Sequence, residues 1–250
     1  MSARSDRGVA GRLVFLHGFT QTHHHWHPVA LAIAARMAAP PTLAFVDLPG
    51  HGLSVDDRAA LDERGAEQVA AVGGPGTYVG YSMGGRFALF AALARPNLVQ
   101  RLVLIGATAG IDDAIEREER IRLDDRRADR IEEIGVDAFL AEWLAGPLFA
   151  TLPSDPVEIE HRARNTPAGL AHSLRTAGTG RQASLWNRLG EIDVPVLVIA
   201  GDRDDKFSDI GRRMTARLRD ARFVQIAGAG HAAHAESPTA TADAIAAWLP

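Results

Sequence analysis

The chain has no cysteine, which excludes disulfides, thiolate chemistry and Cys-based metal sites. It also has no apolar run long enough to span a bilayer. Residues 1–11 are polar and lack the apolar core of a signal peptide. A cytoplasmic chain with no membrane partner is the expectation. An excess of charge of either sign is missing too: the net charge of -4 is mild and gives no reason to expect a nucleic-acid partner. Internal repeats, low-complexity tracts and linkers to a second independent domain are all missing. What remains is an ordinary globular composition. With 250 residues, 46% of them hydrophobic, the chain is long enough for one α/β domain with a full core.

Six short Val/Ile/Leu-rich runs read as buried strands: residues 12–16, 43–46, 77–81, 101–105, 194–199 and 222–226. Helical patterns lie between several of them, at 29–38, 59–72, 86–94 and 210–218, and a last amphipathic helix covers 240–249. Strands alternating with helices predict an α/β fold whose mostly parallel sheet is covered on both faces. Residues 109–191 break the rhythm. They are charged and helical, with no strand pattern. They predict a helical cap between two late strands, leaving 1–108 and 192–250 as the core. A cap in that place would cover the carboxyl ends of the strands, where open α/β sheets bind ligands.

Residues 78–86 carry the strongest chemical signal. Gly80-Tyr81-Ser82-Met83-Gly84 follows a strand, and Phe87 to Leu93 reads as a helix. Gly-x-Ser-x-Gly between strand and helix is the pattern of a nucleophile elbow, a sharp turn that lifts the serine above the sheet. The Met83 amide falls at the helix N-terminus, where a free N–H and the helix dipole favour an oxyanion. An ordinary Gly-rich turn would carry the same glycines but needs no serine at their centre.

A serine hydroxyl needs a neighbour to take its proton. In this architecture the partners follow in the order Ser, acid, His, each after a strand. Asp204 is the expected acid in Gly201-Asp202-Arg203-Asp204-Asp205-Lys206-Phe207, with Asp202 and Asp205 as local competitors. His231 is the expected histidine in Gly228-Ala229-Gly230-His231, with His234 close behind. His231 would accept the serine proton, and Asp204 would orient the imidazole. His17-Gly18-Phe19-Thr20 follows the first strand, where the second oxyanion amide, that of Phe19, is expected.

Other features point less clearly. His23, His24, His25 and His27 suggest a metal cluster. Consecutive histidines cannot all face one ion, and no carboxylate accompanies them at ligand spacing, so the expectation is a polar loop and no metal. Arg117, Arg120, Arg122, Arg126, Arg127 and Arg130 alternate with acids and read mostly as a solvated helix face. One or two of them would reach the cleft and pair with an anion.

His-Gly-Phe, Asp47-Leu48-Pro49-Gly50-His51-Gly52, Gly-x-Ser-x-Gly, Gly-Asp-x-Asp and Gly-His occur in an order that resembles the α/β-hydrolase superfamily over nearly the whole chain. Only about eleven residues precede the first strand, so the β-hairpin that often opens this fold is expected to be absent. Within the superfamily, the motifs resemble the pyruvate-eliminating lyases of menaquinone biosynthesis. Arg86 after Gly84-Gly85, Lys206-Phe207 after the acid, Glu142-Trp143, Pro147-Leu148-Phe149-Ala150 and His231-Ala232-Ala233-His234 carry that likeness. The resemblance implies a polycarboxylate substrate bound by Arg86, Arg120 and Arg162, with Arg117 and Arg164 as neighbouring alternatives. It implies that Trp143 and Tyr81 line the pocket, and that neither metal nor organic cofactor takes part. The rival reading is a serine hydrolase of a carboxylic ester or a carbon–carbon bond, which shares the triad but does not need the arginines. A non-catalytic binding module on the same fold is the third reading, and the intact Ser–Asp–His set speaks against it. Oligomeric state is left between a monomer and a weak homo-oligomer.

Overall fold

The first strand, β1 (Arg12–Leu16), pairs with two neighbours at once, β2 (Thr42–Val46) on one side and β3 (Gly76–Tyr81) on the other. The sheet continues through β4 (Val99–Ile105), β5 (Val196–Gly201) and β6 (Ala221–Ile226) in the order β2-β1-β3-β4-β5-β6. Every pairing is parallel. The structure is a computed structural model and describes residues 11–250. The expectations drawn from the polar N-terminal stretch, no leader and no opening hairpin, lie outside the described residues.

The strands are apolar on both faces because both faces are covered. Alternate residues point to opposite sides. Val14, Leu16, Tyr78, Leu102, Leu104 and Val198 meet one layer, formed by α2 (Glu63–Gly73), α3 (Met83–Ala94) and α7 (Asp205–Thr215). Leu13, Phe15, Val79, Val103, Ile105 and Leu197 meet the other, formed by α1 (His27–Ala34) and α9 (Pro238–Trp248), with the short α8 (Ala233–Glu236) beside it. Between β4 and β5 come α4 (Ala114–Leu144), α5 (Pro156–Ala163) and α6 (Pro167–Ala177). They carry an apolar cluster of their own, in which Ala128, Ile131, Phe139 and Leu140 of α4 pack on Leu170, Ala171 and Leu174 of α6. Gly135, at φ 79°, breaks α4 internally.

The six expected strands are present with ends shifted by one or two residues. Helix starts moved more, and the reason is capping. Asp62 accepts the Gly65 N–H, so α2 begins at Glu63 rather than at residue 59. Asp204 accepts the Phe207 N–H, so α7 begins at Asp205 rather than at residue 210. No helix among the described residues is long and apolar enough to cross a membrane.

Candidate active site

Strand order reverses between β1 and β3, so the loops leaving their carboxyl ends diverge and open a crevice. The register pairs Leu16 with Gly80, which sets the two ends level. Ser82 stands at the end of β3 with φ 48° and ψ -107°, an unfavourable conformation for a non-glycine residue. Its amide is held by the Ile105 carbonyl at 2.8 Å, and its own carbonyl accepts the Arg86 N–H at 3.1 Å. The flanking glycines let α3 sit against the sheet. A methyl on Gly84 would strike the Leu16 carbonyl, and one on Gly80 would lie 2.6 Å from the Gly84 carbonyl oxygen.

The strand ends bring Ser82, His231 and Asp204 together. His231 Nδ1 lies 2.9 Å from Asp204 Oδ2, and Nε2 lies 3.3 Å from Ser82 Oγ. Because Nδ1 carries the ring proton and donates it in a hydrogen bond to Asp204, Nε2 is left to accept the serine O–H. The competing carboxylates are placed elsewhere. Asp202 accepts the Gly228 N–H, and Asp205 is exposed in the first turn of α7. His234 is buried against Tyr81 and Trp26 and meets Gln21 Nε2 at 3.4 Å. Burial, with the nearby Arg162 and His231 charges, lowers its pKa to about 3. The amides of Phe19 and Met83 make no hydrogen bond among the described residues.

A cavity of about 820 Å³ opens over Ser82 and His231. Phe19, Tyr81, Met83, Arg86, Arg120, Trp143 and Arg162 all line it. Arg86 rises from α3 and is buried. Its Nη1 donates to the Ala177 carbonyl at 2.7 Å, and among the described residues no carboxylate lies within ion-pair distance of it. Burial and the Arg120 charge lower its pKa to about 9, which leaves it a cation at neutral pH. Arg120 is half-buried and paired with the buried Asp124 carboxylate, its Nε lying 2.9 and 3.0 Å from the two oxygens. Arg162 is buried, donates to Thr20 Oγ1 and has Glu158 at 3.8 Å. Trp143 stands edge-on to Phe19 at 5.5 Å, with Arg127 over its ring. Lys206 and Arg213 of α7 lie in the cavity wall as well.

Three expectations need correction or refinement. His23 to Trp26 form a 3-10 turn rather than a polar loop, because His25 and Trp26 are buried. His23 spends its ring on Asp47, at 2.7 Å, and no three potential ligands gather as a metal set among the described residues. Arg117 does not line the cavity, and Arg164 is exposed and paired with Glu160. Sequence reasoning passed over Thr20, Asp124 and Asn165, whose partners lie far away in the chain or on a charged helix and leave no local signal.

A family model described as the alpha/beta hydrolase family matches residues 13–244, and the chain belongs to that family. Its relatives within the family include 2-succinyl-6-hydroxy-2,4-cyclohexadiene-1-carboxylate synthases. The one from Serratia proteamaculans is 33% identical over 95% of this chain and 93% of its own. A Bacillus subtilis protein provisionally assigned the same name is 36% identical over 94% of this chain and 90% of its own. The solved structure of MenH from S. aureus superposes with a TM-score of 0.82 at 31% identity, covering 98% of this chain and 95% of that one.

Proposed function

We propose that the protein is a carbon–oxygen lyase. It eliminates pyruvate from 2-succinyl-5-enolpyruvyl-6-hydroxy-3-cyclohexene-1-carboxylate to give 2-succinyl-6-hydroxy-2,4-cyclohexadiene-1-carboxylate, a step of menaquinone biosynthesis. Ser82 passes its proton to His231 Nε2 and takes a ring C–H proton in its place. The electrons of that bond shift into a new ring double bond, and the C–O bond to the enolpyruvyl group breaks. His231, held as a cation by Asp204, returns its proton to the departing group, which leaves as pyruvate. The Phe19 and Met83 amides face the negative charge that develops. Residues 109–191 act as the cap over the 1–108 and 192–250 core and keep water from competing. The chain's own residues suffice for every proton moved. A chain without cysteine or a long apolar run suits the cytoplasm.

One observation carries this reading over a simple esterase. Arg86 is a buried cation in the cavity lining with no carboxylate within ion-pair distance among the described residues, the nearby Asp124 being paired with Arg120 and Arg127. A buried charge is costly unless paired, so its counter-ion belongs to the substrate. The test is pyruvate release from the freshly generated substrate, run beside cleavage of a short-chain p-nitrophenyl ester. Pyruvate release lost in both Ser82→Ala and Arg86→Ala supports the lyase. Ester cleavage without pyruvate, unaffected by Arg86→Ala, makes the protein a serine hydrolase.

A further inference from the structure

Thr20 is the second non-glycine residue with positive φ, at 67°, beside Ser82 at 48°. It belongs to the turn after β1, closed by Gln21 N–H on the Gly18 carbonyl at 3.1 Å and by Gly18 N–H on Gln21 Oε1 at 3.0 Å. Turns ordinarily place glycine or asparagine in that conformation, and a β-branched residue there is strained. Such strain persists only where the surroundings over-determine it.

Every polar group of Thr20 is taken. Its N–H donates to His51 Nε2 at 3.3 Å. That nitrogen is free to accept because His51 Nδ1 donates to the Pro49 carbonyl. Its Oγ1 accepts from Arg162 Nη1 at 2.5 Å, and its carbonyl accepts from Asn165 Nδ2 at 2.8 Å. Asn165 is itself buried and spoken for on both ends: Nδ2 also reaches the Arg162 carbonyl at 3.0 Å, and Oδ1 accepts the Gly52 N–H at 2.9 Å. The Gly52 donor and the Thr20 acceptor fix which way the amide points. Arg162 comes from the last turn of α5 and Asn165 from the segment just past its C-cap, both in the inserted helical segment. Thr20 and Phe19 come from the core. Asn165 does not line the cavity.

We infer that Asn165 is a positioning residue: from the inserted segment it pins Thr20 in its left-handed conformation and so holds the neighbouring Phe19 amide in place above Ser82. The inference rests on the reading of Phe19 N–H as an oxyanion donor. Without Asn165 and its partner Arg162, Thr20 relaxes toward negative φ, the Phe19–Thr20 peptide rotates, and Phe19 moves. The seated insertion and the assembled oxyanion site are thus one event. A chain with α5 displaced would still hold Ser82, His231 and Asp204 together, because none of those contacts involves it.

The test compares Asn165→Ala and Asn165→Asp, each in the wild-type and the Thr20→Gly backgrounds. Two readouts are used: kcat and KM on whichever substrate the wild type turns over, and the rate at which a fluorophosphonate phosphonylates Ser82, displacing fluoride. In the wild-type background kcat and the phosphonylation rate fall by about 10- to 100-fold, while KM is nearly unchanged. In the Thr20→Gly background the further loss from Asn165→Ala is smaller, because glycine occupies the left-handed region without strain. A loss confined to KM or to the melting temperature overturns the inference. So does an equal loss in both backgrounds. Asn165→Asp keeps the acceptor for Gly52 and carries the test if Asn165→Ala does not fold. A wild type that cleaves the ester but releases no pyruvate defeats the substrate assignment and leaves this test standing on the ester and the probe. A wild type that neither turns over nor is labelled defeats both.

Discussion

Asp204 serves two partners, one through each oxygen. Oδ2 meets His231 Nδ1, and Oδ1 accepts the Phe207 N–H as the cap of α7. The two duties come apart by substitution. Asparagine caps a helix about as well as aspartate but presents a neutral amide to the imidazole. Asp204→Asn should therefore melt close to wild type while losing about 10^4-fold in kcat. Asp204→Ala should lose the same activity and about 1 kcal/mol of stability as well, read from urea unfolding. Full activity in Asp204→Asn would hand the role of acid to Asp202 or Asp205. Ser82, Asp204 and His231 were legible in the chain because each stands at a fixed offset from a strand end. Arg86 was legible through the family resemblance, which sets an arginine after Gly84-Gly85. The bond of Arg162 to Thr20 was not legible, since 142 residues separate the two.

At the scale of elements, the elbow is a packing problem solved by absent side chains. β3 and α3 close on β1 so tightly that the Cα of Gly84 faces the Leu16 carbonyl. Gly84→Ala should push α3 off the sheet and lower stability by about 1–3 kcal/mol, read as a lower urea midpoint. A variant as stable as wild type would mean that the helix has slack that its contacts do not show. The sheet itself was readable because two-sided burial writes unbroken apolar runs. Helix starts were less readable. The apolar residues of α7, from Ile210 onward, gave its period, but its first turn, polar apart from Phe207, is set by the Asp204 cap. In α4 the fault line is Gly135, whose φ of 79° breaks one charged run into two helical pieces. Buried Asp124 gathers Arg120 and Arg127 on that helix, so a charged run that read as mostly solvated has a buried side.

For the molecule as a whole, histidine burial sets the response to acid. His17, His51 and His234 are buried, and burial is the largest cause lowering their pKa values to about 4, 3 and 3. His25 follows for the same reason, at about 2. His17 Nε2 accepts the Leu48 N–H at 3.0 Å and His51 Nε2 accepts from Thr20, so protonation would cost each an acceptor as well as bury a charge. The unfolded chain, with ordinary imidazoles near 6.5, binds these protons first. Stability is therefore full above about pH 6.5 and falls as pH drops toward 4, by about 2 kcal/mol per histidine at pH 5. Urea midpoints measured between pH 7 and pH 5 should drop steeply, and a His234→Phe variant should flatten the slope. A flat profile in the wild type would show that these rings are solvated.

The chain answers almost all of its need for cations with arginine and holds a single lysine, Lys206, in the wall of the cavity. Only one side-chain amine is then open to acylating dyes or cross-linkers. A fluorophore attached there would report on the mouth of the cavity alone, and a support coupled through that amine would stand across it.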